Sequence, residues 1–326
     1  MREVRAGLAD VARSAGVSPA TASRALSGAG PVSEGARRAV LAAADELHYR
    51  PHPVARQLAR RSGTRVLFAV RDAHTRILRD PFVARATAAM AAILGPYHIG
   101  VSLTRLELEC AAELDHLADD RGLTAVILAG HDHELLQHLP AGLRGRTSVI
   151  GVGGADVDSA AGVGALLTHL YALGRRRIAL VAGPSWLAAS VPPVDAYREL
   201  TRAAGLPTRI VRGDFTSDRG RVAARSILRR WPDTDAIATV SDATALGVLQ
   251  ALAATGIRVP DDVAVTGFDD APLAAAVHPA LSTATHPVEE VAAAAVRTAL
   301  GEPPPSTLFP SVPKPRGTCG GSASTA

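Results

Sequence analysis

Residues 10 to 26 read Asp-Val-Ala-Arg-Ser-Ala-Gly-Val-Ser-Pro-Ala-Thr-Ala-Ser-Arg-Ala-Leu, and this stretch decides the fold of the N-terminal part of the chain. Apolar residues recur on one helical face before Gly16, which can supply a positive-φ exit, and Ser18 can cap a second helix. Ala12 is small enough to let the two helices cross closely. The stretch predicts a DNA-binding helix-turn-helix, and the alternative is a helical hairpin of no special function.

Two further helical segments follow this pair. Ser33 can cap a third helix with an apolar stripe from Val40 to Leu47. Residues 51–61 combine an early Pro53 with arginines and an exposed Leu58, which predicts a short helix that forms against DNA, with its leucine wedged into the minor groove. The alternative for this segment is a basic linker with an incidental leucine.

The positive charge of the chain lies at this end. The 326 residues carry a net charge of +4, and the first 64 contain ten arginines and five acidic residues, so the remainder is close to neutral. A basic module joined to a near-neutral domain is the charge distribution expected of a DNA-binding protein.

From residue 65 onward, apolar runs alternate with helical periodicity. Runs typical of buried strands occupy 66–70, 99–103, 125–129, 149–152, 178–182, 210–212, 236–240 and 263–268. Repeated strand-helix units predict parallel sheets covered by helices on both faces, and ligands of such sheets bind beyond the carboxyl ends of the strands. Polar or acidic residues stand at several of these ends.

Other classes of protein are disfavoured by the sequence. There are only two cysteines, and no apolar run of membrane-spanning length or apolar signal core, so we expect a cytoplasmic, nucleoid-associated protein without a disulfide framework or a membrane partner. No catalytic motif is present and Lys314 is the only lysine, which predicts neither an enzyme nor a bound cofactor. Five potential ligands within 131–138 leave a metal site open, although polar residues at a strand end explain them equally well.

Motifs along nearly the whole chain resemble those of the LacI/GalR (lactose-repressor) family. They are Asp10-Val-Ala, 20–26, Tyr49-Arg50-Pro51, Asp80-Pro81-Phe82, 173–179, Gly213-Asp214-Phe215 and 259–270. The resemblance implies a helix-turn-helix head at 1–50, a hinge helix and linker at 51–64, and an effector-binding and dimerisation domain at 65–316. It also implies that this domain consists of two doubly wound parallel-sheet subdomains of the periplasmic-binding-protein type, with crossings near 155–157 and 283–285. We expect a disordered tail over 317–326.

The resemblance, together with helix geometry, assigns candidate site residues. The DNA-contacting set is Ser18, Pro19, Ala20, Thr21, Ser23, Arg24, Arg56 and Leu58. The effector-contacting set is Phe82, His131, Asp132, Phe215, Ser241 and Asp269. Arg24 is the long donor that can pair with a guanine edge.

Two departures from the family pattern concern the effector pocket. Pro193 stands where the family has an arginine, and Ser241 stands where it usually has an asparagine. The sequence as a whole predicts a homodimeric repressor of a pseudo-palindromic operator on double-stranded DNA, modulated by a sugar-like small molecule. The alternative is an effector-independent regulator with a degenerate pocket.

Overall fold

A computed structural model describes residues 8–27, 31–47, 49 and 63–320. The predicted hinge helix, with Arg56 and Leu58, lies outside the described residues. No helix within the described parts is both long enough and apolar enough to span a bilayer.

Three helices form the N-terminal head. They are α1 (Leu8–Ser14), α2 (Pro19–Ser27) and α3 (Glu34–Glu46). Gly16 adopts a φ of 67°, which reverses the chain between α1 and α2 at a position where a side chain would be strained. Among the described residues, the fully buried core of the head consists of alanines and valines, and larger side chains such as Leu26, Leu47 and Tyr49 pack partly buried against it; the buried residues are Val11, Ala12, Ala22, Ala25, Val40, Ala43 and Ala44. These small side chains let the three helices approach closely, and the predicted core position of Ala22 is confirmed at 0% exposure.

The first subdomain is built on a parallel sheet in the order β2-β1-β3-β4. Its strands are β1 (Arg65–Arg71), β2 (Gly100–Leu106), β3 (Leu123–Ala129) and β4 (Thr147–Ile150). Its helices are α4 (Pro81–Leu94), α5 (Ala111–Asp119), α6 (His133–Gln137), α7 (Ala141–Arg144) and, from late in the chain, α13 (Val288–Ala299). Helices α4 and α13 cover one face of the sheet and α5 the other, so β3 is buried along its whole length.

The second subdomain repeats this topology with the order β7-β6-β8-β9. Its strands are β6 (Ile178–Ala182), β7 (Ile210–Arg212), β8 (Ala236–Thr239) and β9 (Ala264–Thr266). Its helices are α8 (Ser159–Ala172), α9 (Val191–Ala203), α10 (Ser217–Arg230), α11 (Asp242–Ala254) and α12 (Pro272–Ala276). Two glycines bring α10 and α11 together, because a Cβ at Gly220 or Gly247 would collide with the backbone of the other segment.

Short strands lie at the crossings between the subdomains. The chain leaves the first sheet through β5 (Asp156–Val157), which pairs in parallel with β11 (Leu308–Phe309). It returns after β10 (Thr283–Ala284), which pairs antiparallel with β12 (Pro313–Lys314). These ladders are two residues long, and a proline, which cannot donate a ladder hydrogen bond, is part of one of them.

The structure corrects our expectation of a disordered tail from residue 317. Gly317–Cys319 form a 3₁₀ turn, and Thr318 and Cys319 are buried at 0% and 2% exposure. The Thr318 hydroxyl donates to the Val265 carbonyl (2.7 Å) and accepts from the Ser282 amide (2.8 Å). The Gly- and Ser-rich composition suggested disorder, but the single side chain of Thr318 forms hydrogen bonds with the backbone of β9 and of the residue before β10, and these bonds fix the turn. Residues 321–326 lie outside the described parts of the chain.

Candidate functional site

The first turn of α2 presents a polar surface on the head. Ser18, Pro19, Ala20 and Arg24 are exposed, and Thr21 and Ser23 are half-buried. The Ser18 hydroxyl accepts a hydrogen bond from the Thr21 amide (3.1 Å) and lies 2.9 Å from the Thr21 hydroxyl. Ser18 therefore caps α2, and the six predicted residues run from this cap to Arg24 in the last turn of the helix.

A cavity separates the two subdomains at the carboxyl ends of their strands. Its empty volume is about 1070 Å³, including space open to solvent. Arg71 and Asp72 at the end of β1, Gly151 after β4 and Val240 after β8 are among its lining residues. Four of the predicted effector residues line it, namely Phe82, Phe215, Ser241 and Asp269. A ligand in this cavity would touch both subdomains.

The other two predicted effector residues, His131 and Asp132, are not among the residues that line the cavity. His131 is 2% exposed, and its Nε2 lies 2.8 Å from the Val152 carbonyl oxygen. Asp132 caps α6 by accepting from the Leu135 amide (2.8 Å) and also accepts from Arg71 Nη1 (2.7 Å). Both side chains are engaged within the first subdomain, and their assignment as effector contacts stays a prediction that the cavity lining does not support. Nor do the described residues contain a group of three or more His, Cys, Asp or Glu side chains suited to a metal ion.

Aromatic rings form much of the cavity wall. Phe82 stacks on the His286 ring with centroids 5.4 Å apart, and Phe268 contacts the same ring at a tilt, at 5.9 Å. Trp186 is also a lining residue, with the Arg71 guanidinium 5.4 Å from its ring centroid. Phe215 adopts a φ of 65°, a left-handed conformation that is rare for an aromatic residue. Strained backbone of this kind is concentrated at functional sites.

Carboxylates surround His286 in the cavity. Asp80 caps α4 by accepting from the Phe82 amide (2.8 Å), and burial raises the pKa of its carboxyl group to about 6. Burial also raises the pKa of Asp156. One Asp269 oxygen lies 3.1 Å from His286 Nδ1. Three carboxylates, those of Asp80, Asp156 and Asp269, thus interact with the single imidazole ring of His286.

Asp242, at the start of α11, is buried next to the cavity wall and is not itself a lining residue. It accepts hydrogen bonds from the Thr283 hydroxyl (2.6 Å) and the Ala271 amide (2.8 Å). Burial, together with the negative charge of Asp269, raises the pKa of Asp242 to about 7. The interaction connects α11 to the returning crossing strand β10.

Direct contacts between the subdomains border the cleft. The Ala188 amide donates to the His131 carbonyl oxygen (3.2 Å). Arg76 donates to Asp218 (2.9 Å), and His74 Nε2 lies 3.9 Å from Asp214. These contacts join the segment after β1 and the end of β3 to loops and to the first turn of α10 in the second subdomain.

Comparisons with known proteins agree with this architecture. Residues 7–52 match the pattern of bacterial regulatory proteins of the lacI family, and residues 167–319 match a periplasmic binding protein-like domain. The HTH-type transcriptional regulator CelR of Thermobifida fusca is 34% identical over 302 residues, which covers 88% of this chain and 89% of CelR. The chain belongs to the LacI family.

Solved structures of relatives have the same fold. A transcriptional regulator CelR–cellobiose complex superposes with a TM-score of 0.66 at 29% identity, covering 96% of this chain and 100% of that one. A lac repressor dimer bound to operator and the anti-inducer ONPF superposes with a TM-score of 0.68 at 23% identity, covering 96% and 99%. At that lower identity the second likeness concerns the fold alone.

Within this LacI-family chain, the two sequence departures have structural consequences. Pro193 is buried, lines the cavity and offers no donor where the family has an arginine. The Ser241 hydroxyl caps α11 by accepting from the Thr244 amide (3.2 Å) and lies 3.2 Å from the Phe215 carbonyl oxygen. Ser241 therefore helps to hold the strained Phe215 in place.

Sequence analysis missed several lining residues, among them Trp186, Ser190 and His286. Ser190 is 3% exposed, and its hydroxyl has no hydrogen-bond partner within the described residues. Trp186 is one of only two tryptophans and follows a buried strand, which was the one available signal. His286 had no such signal, because the fold brings the returning crossing beside Phe82, about 200 residues earlier in the chain.

Proposed function

We propose that this protein is a homodimeric, sequence-specific transcriptional repressor whose operator affinity is modulated by a small molecule in the inter-subdomain cleft. One observation carries the proposal. The same chain presents an exposed, polar first turn of α2 and a cavity whose walls come from two subdomains. A ligand that bridges the subdomains can favour one relative orientation of them, and this is the requirement for coupling to a distant DNA contact.

On the DNA side, α2 enters the major groove. Arg24 is the exposed long donor of the helix and pairs with a guanine edge, while Pro19 and Ala20 face the bases. Thr21, Ser23 and the first amides of the helix contact phosphates. The segment 51–61 completes the interface, with Arg56 on phosphate and Leu58 at the central minor-groove step.

The proposed dimer sets the form of the operator. A two-fold symmetric protein with two heads reads two inverted half-sites, so the operator is pseudo-palindromic. The lac repressor structure that shares this fold was solved as a dimer bound to operator, and for this chain the dimer is part of the proposal. The proposed regulator acts on the bacterial chromosome, so the proposal includes a cytoplasmic location at the nucleoid and assigns the protein no enzymatic activity.

On the effector side, the cleft takes a carbohydrate or a related polyol. The aromatic rings of Phe82 and Phe215 can stack on the apolar faces of a sugar, and Asp269 can accept hydrogen bonds from hydroxyl groups. The CelR relative was solved with cellobiose, which supports this class of ligand. A typical coupling of about 1 to 3 kcal/mol would change operator affinity roughly 5- to 150-fold.

One observation favours a second candidate, an effector-independent regulator. Pro193 removes the arginine that the family pattern places in the pocket, and with it a strong bidentate donor. This candidate predicts tight operator binding that no small molecule alters. Thermal shift measurements with sugars and sugar phosphates separate the two, because a ligand that binds only the folded state raises its melting temperature.

The first experiment is fluorescence anisotropy of the full-length protein on the duplex upstream of its own gene. A scrambled duplex at the same near-physiological salt concentration is the control. We expect a preference of about a thousandfold or more for a specific operator. Equal weak binding to this duplex, to the scrambled one and to every fragment in a selection from genomic DNA would contradict the proposal.

A further inference from the structure

We propose that the cleft selects a polyol that carries a protonated amine, an amino sugar being the simplest case, over neutral and anionic polyols of the same shape. The inference rests on the proposed function for its site, and it adds the charge of the ligand. Neither the family pattern nor the relatives assign this property to the chain.

The balance of charge in the cavity is the first argument. Four carboxylates line it, those of Asp72, Asp80, Asp156 and Asp269, and His286 is the only base among its described lining residues apart from Arg71. Asp269 is paired with His286, at 3.1 Å. The carboxylates of Asp80 and Asp156 accept backbone amides, at 2.8 Å each, but no arginine or lysine contact is found for either of them in the described parts of the chain.

Arg71 does not change this balance. Its Nε and Nη2 donate to the Leu108 carbonyl oxygen (3.0 and 2.8 Å), and its Nη1 donates to Asp132 (2.7 Å). Asp132 is not among the lining residues, so the positive charge of Arg71 is matched behind the cavity wall. All three nitrogens have these partners, and the guanidinium carbon lies 5.4 Å from the centroid of the Trp186 ring.

Buried carboxylates without a cation nearby are unfavourable, and the titration of these groups follows that rule. Burial raises the pKa of both Asp80 and Asp156, the negative charge of Asp269 adds to the effect at Asp80, and the shared His286 only partly opposes it at both. A ligand ammonium group would pair with them, whereas a phosphate or carboxylate would add a like charge.

The aromatic content of the cavity is the second argument. The chain has five Phe, two Trp and four Tyr, and four of these eleven rings line this one cavity. They are Phe82, Trp186, Phe215 and Phe268. Aromatic faces attract cations as well as the apolar faces of sugars, most strongly in a desolvated site.

Ser190 supplies an independent indication that a polar ligand binds here. Its buried hydroxyl lies beside Gly183 and the Phe215 ring, where a Cβ at Gly183 would collide with both. The hydroxyl has no partner within the described residues although buried hydroxyls are normally hydrogen-bonded. A ligand hydroxyl would satisfy it.

Trp186 makes the test direct. The variant Trp231→Phe leaves Trp186, in the cavity wall, as the only tryptophan of the chain. We would titrate this full-length variant at pH 7 with glucose, glucosamine and glucose 6-phosphate, and with the matching galactose and cellobiose series. We expect saturable fluorescence changes, with at least one amine binding ten times more tightly than its neutral counterpart, and no saturable change with the phosphates.

Two substitutions test the assigned groups. Asp80→Asn keeps the side-chain oxygen that caps α4 and should lower the affinity for the amine about tenfold while changing that for the neutral sugar less than twofold. Asp156→Asn is a second variant should the first fail to fold. Asp195→Asn is the matched control, because Asp195 is exposed on α9, pairs with Arg198 and is not a lining residue.

The outcomes separate this inference from the proposed function. Tighter binding of a neutral or phosphorylated sugar, no binding of any amine, or equal effects of Asp80→Asn and Asp195→Asn would overturn the inference. Operator anisotropy on the same samples tests the proposed function by itself. If the protein bound its operator and responded to a neutral sugar, the proposed function would stand and the amine specificity would be rejected. If it bound an amine but showed no preference for an operator, the amine specificity would stand and the proposed function would be rejected.

Discussion

The head and the cleft assemble their functional groups in opposite ways. Six of the proposed DNA-contacting residues of the head come from the single run Ser18 to Arg24, supported by a buried core of alanines and valines among its described residues. The cleft takes Phe82, Ser190 and His286 from three distant segments, and the carboxyl ends of two parallel sheets bring them together. The head therefore depends on one helix and its packing, while the cleft depends on the relative position of two complete subdomains.

The largest expected effect separates these two regions. Val40→Asp would bury a carboxylate in the head at a position with 0% exposure, with a cost of more than about 4 kcal/mol. Operator binding should fall to the level of random DNA in anisotropy. Both tryptophans lie in the α/β domain, so its unfolding transition followed by their fluorescence should not change.

The control for this variant is the neighbouring residue. Ala39→Asp places the same charge at an exposed position of α3 and should leave operator binding within a few-fold of the parent protein. If Val40→Asp shifted the tryptophan transition, the head and the α/β domain would not be independent.

The next effect sharpens the assignment of α2. Arg24→Ala should weaken binding to the operator by about 1 to 3 kcal/mol, roughly 5- to 150-fold, and binding to random DNA much less. Arg225→Ala removes an exposed arginine from α10 and should change neither. An equal loss on specific and random DNA would make Arg24 a phosphate contact.

Substitutions of two helical glycines test how closely the helices pack in the two regions, at Gly247 in the α/β domain and at Gly35 in the head. Gly247→Ala would drive a methyl group into the Ser217 backbone and should destabilise the α/β domain by about 1 to 3 kcal/mol in urea unfolding followed by tryptophan fluorescence. Gly35→Ala in α3 has open space around the new methyl group and should stabilise the head by about 0.5 to 1 kcal/mol, seen as slower amide exchange. Equal effects of the two substitutions would contradict this assignment of close backbone contact.

The last effect, of similar small size, is the pH dependence of stability. The pKa of Asp80 is raised in the folded protein to about 6, so the folded state binds more protons than the unfolded state between about pH 4 and pH 6. The contribution of this group to stability is therefore favourable at low pH and is lost as the pH rises through that window. Asp269, His286 and Asp72 influence the same carboxyl group.

Asp80→Asn should remove that part of the pH dependence, on the order of 1 kcal/mol after allowance for partial exposure. Melting temperatures of parent and variant, measured from pH 4 to pH 7, give the comparison. Asp195→Asn should follow the parent. If the pH profile of the variant coincided with that of the parent, the pKa of Asp80 in the folded protein would not be raised.

The success of sequence-based prediction follows the same division. The cap at Ser18, the turn at Gly16 and the core position of Ala22 were predicted because each depends on residues a few positions away. Phe82, Phe215, Ser241 and Asp269 were placed at the cleft from family motifs and strand ends. His131 and Asp132 also follow a strand, but one carbonyl oxygen and one arginine engage them elsewhere.

Periodicity, charge and motifs by themselves determined the class of each region, a helical head followed by parallel α/β units, and the end of the chain that carries positive charge. Only the tertiary structure decided which groups share the cavity, that Arg71 is neutralised behind its wall, and that Thr318 anchors the C-terminal turn. Local patterns select helices and strands through short-range geometry. Burial, charge balance and hydrogen-bond satisfaction depend on contacts between segments up to some 200 residues apart, and those contacts exist only once the two sheets have packed.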